Sequence, residues 1–182
     1  MCSYIDDTDR AMRTPMNDPK TSEARRTLAR QASAAYSVDD YVRDVSTATP
    51  LELVEIERQG VHGAVLKSLS RKMSVPISYM YKILGVPKAT AEKKMGAGEF
   101  ITGSSGHAAI GMIRLLGIAQ NMAENSTAEI AKDFDASKWL GQWIELPQSA
   151  LGGRKPADLI DTPTGIDIVA RLLGAIESGA YQ

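Results

Sequence analysis

Few side chains in this sequence have the types and spacing that catalysis or metal binding requires. Neither His62 nor His107 has a cysteine, histidine or carboxylate at the spacing of a metal site. The segment 102–107 (TGSSGH) resembles a phosphate-binding loop, but it lacks the closing Lys-Ser or Lys-Thr and follows no strand pattern. Three aspartates occupy positions typical of helix starts or solvated surfaces: Asp158, Asp161 and Asp167. Because no nucleophile, base and orienting group can be assembled, we expect no catalytic residue, no metal, no cofactor and no enzyme.

Lysines suited to binding phosphate groups are concentrated in the middle of the chain. Residues 67–94 contain seven basic side chains and one acidic one. Within them, residues 77–95 have the pattern of a helix-turn-helix, with Gly85 for a turn that needs positive φ and Val86 as the apolar residue after it. Lysine binds phosphates, and lysine or threonine also reaches base edges. The residues expected to contact DNA are Lys82, Lys88, Thr90, Lys93 and Lys94.

The same segment also fits a plain αα-hairpin with a solvated lysine face, because helix-turn-helix geometry alone does not fix function. Tyr81 occupies a position where tight packing favours a small residue. Ala91 and Lys94 are poorer core residues than branched aliphatics. DNA binding and a structural hairpin therefore both remain open at this point.

The segments around this hairpin have the apolar spacing of helices. Thr49 is predicted to cap a helix that begins at Pro50, and a longer helix is expected over about 105–124 despite two internal glycines. Ser137 is predicted to cap a helix to Leu146, and a final helix covers about 165–178. No alternating run of strand length occurs and only 5% of residues are aromatic. The predicted fold class is therefore all-α.

Charge divides the chain into three parts. Residues 1–49 have 7 basic and 8 acidic side chains (net -1), residues 50–123 have 9 and 5 (net +4), and residues 124–182 have 5 and 9 (net -4). A basic middle and an acidic end favour two different partners, although two solvated surfaces would look the same. We expect a flexible N-terminal arm (1–48), a helical DNA-binding and dimerisation domain (49–125) and a C-terminal binding domain (126–182).

The compartment expected from the sequence is the cytoplasm. Cys2 is the single cysteine, which excludes a disulfide framework. The first residues have neither a basic region nor an apolar run, so no signal peptide is predicted. No stretch reaches the 18 or so apolar residues of a membrane span.

The end of the chain carries the most specific pattern. It reads WL at 139–140, LP at 146–147, ALGGRKPADLI at 150–160, Thr162-x-x-Gly165 and a closing Gly179-Ala180-Tyr181. This pattern resembles the toxin-binding domain of the Xre/MbcA/ParS-type antitoxins, the partners of RES-domain toxins. The resemblance extends over about residues 50–182 and is strongest over 136–182.

The resemblance implies a type II antitoxin with two activities. RES-domain toxins resemble ADP-ribosyltransferases and consume NAD, and family antitoxins cover the mouth of the NAD pocket with their C-terminal region. The family also implies a homodimer, and a larger complex with toxin, that binds operator DNA and represses its own operon. By this analogy, the residues expected near the toxin are Arg154, Asp167, Arg171, Glu177, Tyr181 and Gln182.

Two other classes of protein remain compatible with the sequence. A stand-alone helix-turn-helix repressor would bind an operator with strong salt dependence and have no toxin gene beside it. A plain interaction module would use the acidic C-terminal half and bind a partner without NAD chemistry. A neighbouring gene for a RES-type toxin separates the antitoxin from both.

Overall fold

The computed structural model describes residues 37–125 and 134–178. Helices dominate these ranges, and the predicted all-α class is confirmed. They are α1 Val38–Thr47, α2 Pro50–Gln59, α3 Gly63–Lys72, α4 Ile77–Ile83, α5 Lys88–Ala97, α6 Gly103–Asn125, α7 Ala136–Trp143 and α8 Pro163–Glu177. Two strands, β1 Val61–His62 and β2 Phe100–Ile101, pair antiparallel, with Val61 opposite Ile101. Short 3-10 turns lie at Ser149–Leu151 and Pro156–Asp158.

Side-chain caps explain where several helices begin. The predicted cap of α2 is confirmed, because Thr49 and Glu52 bond reciprocally in a capping box. The predicted cap of α7 by Ser137 is wrong. Asp135 is the cap, since its carboxylate accepts the backbone N–H of Lys138 at 3.1 Å, and Ser137 is buried within the first turn. The same hydrogen bond lowers the pKa of Asp135.

A helix occupies part of the segment that was expected to be a flexible arm up to residue 48. Residues 38–47 form α1, whose inward face is Val38, Val42 and Val45, all buried. This face packs on α6, where Gly117 has no side chain and so lets Ser46 approach closely. Three valines at helical spacing therefore pack this segment against α6, although most of its residues are polar. The remainder of the expected arm, residues 1–36, lies outside the described residues.

The long helix α6 is the centre of the fold. It runs unbroken through 23 residues, contacts α1, α7 and α8, and has its buried residues between Gly106 and Ala119. The two internal glycines that weakened its prediction serve close packing instead. A Cβ at Gly111 would lie 2.1 Å from Cδ1 of Ile166 on α8, so only glycine admits that side chain. One continuous core joins residues from both sides of the expected division at 125.

Substituting Gly111 with Ala is expected to lower the free energy of unfolding by about 1–3 kcal/mol, because the added methyl group must displace Ile166 from a packed core. Gly174 is the matched control, since it is also helical and a Cβ there meets nothing within 4 Å. Gly174→Ala should be neutral or stabilising, as helix propensity favours alanine. Urea denaturation of both variants measures this, and equal stabilities would contradict the described contact.

The short ladder of β1 and β2 anchors the start of α3. His62 is buried, and its Nδ1 accepts the backbone N–H of Ala64 at 3.3 Å, which caps α3. His62 is thus a buried residue that caps a helix. Within residues 37–125 and 134–178, no three His, Cys, Asp or Glu side chains are arranged to hold a metal ion. No helix in these ranges is long and apolar enough to cross a membrane.

Candidate functional site

The helix-turn-helix predicted at 77–95 has the expected backbone. The helix α4 ends at Ile83, Gly85 turns with φ +60°, Val86 is buried, and α5 begins at Lys88. Gly85 uses the left-handed conformation that side chains disfavour, and its carbonyl accepts the Ser105 hydroxyl of α6 at 2.9 Å. This hydrogen bond connects the turn to the first residues of the central helix.

Four of the five residues predicted to contact DNA project from this hairpin into solvent: Lys82, Lys88, Thr90 and Lys93. Lys88 lies 3.8 Å from Glu92 in an exposed pair, which is weak. Lys94 differs, because it is half-buried and its ammonium donates to the backbone carbonyl of Phe100 at 2.7 Å. This placement favours Lys93 over Lys94 as a phosphate ligand. Contact of any of the five with DNA stays a prediction.

The inner face of the hairpin accommodates the residues that seemed unsuited to it. Tyr81 is buried, and its hydroxyl points to the sulfur of Met95 at 3.8 Å. Burial raises the pKa of Tyr81. Ala91 is the buried residue of α5, and its small side chain lets the second helix approach the core closely. The hairpin thus has a large buried side chain on α4 where a small one was expected, and a small one on α5 where a larger one was expected.

The first helix of the hairpin is bonded to the C-terminal part of the chain. The Tyr79 hydroxyl of α4 donates to the Glu145 carboxylate, which also accepts the Lys155 ammonium at 3.3 Å. The turn of the hairpin also lies close to the C-terminal part, since a Cβ at Gly85 would be 3.9 Å from the Cβ of Asp161. Sequence patterns could not predict these contacts, because the residues are far apart in the chain. The hairpin and the C-terminal segment therefore form one packed unit.

Burial and the Glu145 carboxylate both raise the pKa of Tyr79, because each disfavours the phenolate. The neutral phenol is thus favoured in the folded state, so its contribution to stability is fully present below the ordinary tyrosine pKa of about 10 and is lost as the pH rises from there towards the raised pKa of the folded state. We expect the stability of the wild type relative to Tyr79→Phe to be constant up to about pH 9 and to fall as the pH rises from about 10 to 11. Denaturation of both proteins across this range measures the difference. A constant difference would contradict the shift.

The glycine-rich signature forms a compact loop between α7 and α8. Gln148 accepts the N–H of Gly153 at 2.9 Å and donates its own N–H to the Arg154 carbonyl at 3.0 Å. Gly152 and Gly153 both have positive φ, which closes this tight turn. The Arg154 side chain is exposed, and Leu146 at the base of the loop is 56% exposed. The loop thus presents a basic and an apolar side chain to solvent.

The last helix, α8, separates a core face from an outer face. Ile166, Val169 and Leu173 are buried against α6. Three of the residues predicted to contact a toxin lie on the outer face: Asp167, Arg171 and Glu177. Asp167 pairs with Arg114 of α6 at 2.8 Å, and Glu177 accepts from the Asn125 amide at 3.4 Å. Arg171 is exposed and has no ion pair within the described part of the chain. Tyr181 and Gln182 lie outside the described residues.

An aromatic group that the sequence did not single out lies at the start of the C-terminal part. Trp139 and Trp143 stack with ring centroids 5.8 Å apart, and Phe134 packs on Trp139 at 5.9 Å. Helical spacing of the two tryptophans was the signal that could have found this group. Trp143 is buried whereas Phe134 is 40% exposed, so the stack connects the core to the surface.

Comparison with known proteins gave one match to the C-terminal segment and one to most of the chain. Residues 134–179 match the family model "Antitoxin Xre/MbcA/ParS C-terminal toxin-binding domain". The chain is also 32% identical over 134 residues to the "Prs ADP-ribosylating antitoxin" of Sphingobium sp. (strain YBL2), covering 74% of this chain and 83% of that protein. The matched segment contains the signature loop and α8.

Proposed function

This chain belongs to the Xre/MbcA/ParS-type antitoxin family, and we propose that it neutralises a RES-domain, NAD-consuming toxin by covering the entrance of the toxin's active site. As a toxin-binding antitoxin of a toxin–antitoxin system, the chain has a toxin as its partner. The finer proposal is that α8 and the residues after it form the covering surface. Covering requires binding and no catalysis by this chain.

The observation that carries this proposal is the exposed outer face of α8 within the matched segment. Its core face is already occupied by α6, so the outer residues are available to a partner. NAD has two negatively charged phosphates, so positive electrostatic potential in a pocket favours its binding. Residues 124–182 have 5 basic and 9 acidic side chains, net -4, which is complementary to such a pocket.

Inhibition of a purified toxin tests the proposal. The RES-domain toxin encoded beside this chain's gene is incubated with NAD and increasing amounts of the antitoxin. We expect NAD consumption to stop near a stoichiometric amount of antitoxin, and a stable complex in size-exclusion chromatography. Continued NAD consumption by toxin within a stable complex would contradict active-site covering, because the bound antitoxin would then leave the entrance open.

Repression of its own operon is the second proposed activity. The helix-turn-helix backbone and the exposed Lys82, Lys88, Thr90 and Lys93 support it. With lysine side chains on phosphates, the affinity for operator DNA must fall steeply with salt. The stand-alone repressor alternative shares this surface and differs in having no toxin to bind. A complex with the toxin therefore decides between the two.

A homodimer is proposed as the DNA-binding form, acting in the cytoplasm. The helix α2 has no buried side chain, with Leu51 74% and Val54 39% exposed. Apolar residues on an exposed helix face favour association, and a symmetric dimer would bring two hairpins to two half-sites. Sedimentation of the free antitoxin should show a dimer, and Leu51→Glu should shift it to monomer. A monomer at micromolar concentration would contradict this assembly.

A further inference from the structure

A cleft with charged walls lies between α2, α6 and α8. Its volume is about 210 Å³, and its lining comes from all three helices. It exists because α8 lies directly on α6 at Gly111, whereas α2 contacts α6 only through partly buried side chains such as Leu53. The floor is apolar and includes Leu53, Ile110 and Ile166. The hairpin contributes no residue to this cleft, and the outer face of α8 contributes only Asp167.

The charges around the cleft are unbalanced. Arg114 pairs with Asp167 at 2.8 Å on one side, so these two charges cancel. Glu57 of α2 also lines the cleft, is partly buried, and has no ion pair or hydrogen bond among residues 37–125 and 134–178. The glutamate, aspartate and arginine side chains of the lining have a net charge of -1, and this charge belongs to Glu57. A carboxylate above an apolar floor is complementary to a cation on an apolar stem.

We infer that this cleft receives a lysine or arginine side chain of the toxin. The methylene stem would pack on Leu53 and Ile110, and the cationic head would pair with Glu57. A toxin seated on α8 can reach the cleft, because Ile166 and Asp167 of α8 line it and belong to the segment matched by the toxin-binding domain. This inference rests on the proposed function and adds α2, which lies outside the matched segment, to the toxin interface.

Charge variants of Glu57 test the inference through toxin affinity, measured by calorimetry with the purified toxin. We expect Glu57→Gln to weaken binding about tenfold and Glu57→Lys about hundredfold or more, because the second adds repulsion to the lost pair. Glu55→Gln is the matched control, since Glu55 is on the same helix, 64% exposed, and paired only with Arg58. Its affinity should equal that of the wild type. Unchanged thermal unfolding of all three shows that the fold is intact.

Three outcomes would overturn the inference. In the first, Glu57→Lys binds toxin as the wild type does while Arg171→Glu loses binding. The cleft is then not part of the interface, and the proposed function stands. In the second, Glu57→Lys shifts the free antitoxin from dimer to monomer without changing toxin affinity, which makes a second copy the occupant. In the third, no variant of either site changes toxin affinity, and the proposed covering surface fails together with the cleft.

Discussion

Replacing Arg171 with Glu is expected to weaken toxin binding about hundredfold while leaving the antitoxin folded. Arg171 is exposed on the outer face of α8, within the matched segment and apart from the core. Arginine at the centre of an interface often contributes 2 kcal/mol or more, and the shorter, acceptor-only glutamate leaves the groups that bind the guanidinium unpaired, so we expect a loss of about 2–4 kcal/mol. Affinity for purified toxin and residual NAD consumption both measure the effect.

The matched control for Arg171 is Arg43→Glu. Arg43 is on α1, is 66% exposed, lies outside the matched segment, and pairs only with acidic neighbours on its own helix. This variant should bind toxin as tightly as the wild type. If both charge reversals weaken binding equally, net charge rather than the α8 face determines affinity. If neither does, α8 is not the covering surface.

Deletion of α8 is a poorer experiment than this point substitution. A chain that ends at Gly165 loses Val169, Leu172 and Leu173, which are buried in the common core. Loss of neutralisation by that truncated protein would follow from unfolding alone, since removing several core side chains costs several kcal/mol each. Arg171→Glu separates binding from folding, which the deletion cannot do.

Replacing Lys88 and Lys93 with Ala is expected to produce the largest loss of DNA affinity. Each lost phosphate contact lowers the slope of log affinity against log salt by about 0.9, so the double variant should lose about two units of slope. At moderate salt the affinity should fall about tenfold or more, with little change in sequence preference, because phosphate contacts are not specific. Fluorescence anisotropy with operator DNA at several salt concentrations measures both quantities.

Lys94→Ala provides the internal comparison for the DNA experiment. Its ammonium holds the Phe100 carbonyl in the described fold, so this variant should lower thermal stability and change the salt slope less than Lys93→Ala. Equal slopes for the wild type and the Lys88/Lys93 double variant would show that the exposed lysines do not touch phosphates. The hairpin would then be a structural αα-hairpin.

Local sequence patterns predicted the helical elements of this protein well. Thr49 and Pro50 mark the start of α2 because capping is decided within a few residues. Gly85 and Val86 mark the turn of the hairpin for the same reason. The error at Ser137 is also local, since two residues with capping side chains are close together and only backbone geometry selects Asp135.

Contacts between distant residues are what the sequence could not supply. Three valines in α1 identify its buried face only once α6 is known to lie beside them. Tyr79 and Glu145 are 66 positions apart in the sequence. The cleft at Glu57 is formed by three helices, so it can be recognised only when their positions in the fold are known. The proposed role of α8 depends on the resemblance of the chain's end to known toxin-binding domains, whereas periodicity alone predicted only an amphipathic helix.

Cellular NAD during co-expression tests the central claim most directly. The RES-domain toxin is expressed with the wild-type antitoxin, with Arg171→Glu, or with Arg43→Glu, and NAD is measured in each culture. We expect preserved NAD with the wild type and with Arg43→Glu, and depleted NAD with Arg171→Glu at equal antitoxin levels. Depletion in the presence of the wild-type antitoxin, or full protection by Arg171→Glu, would contradict neutralisation through the outer face of α8.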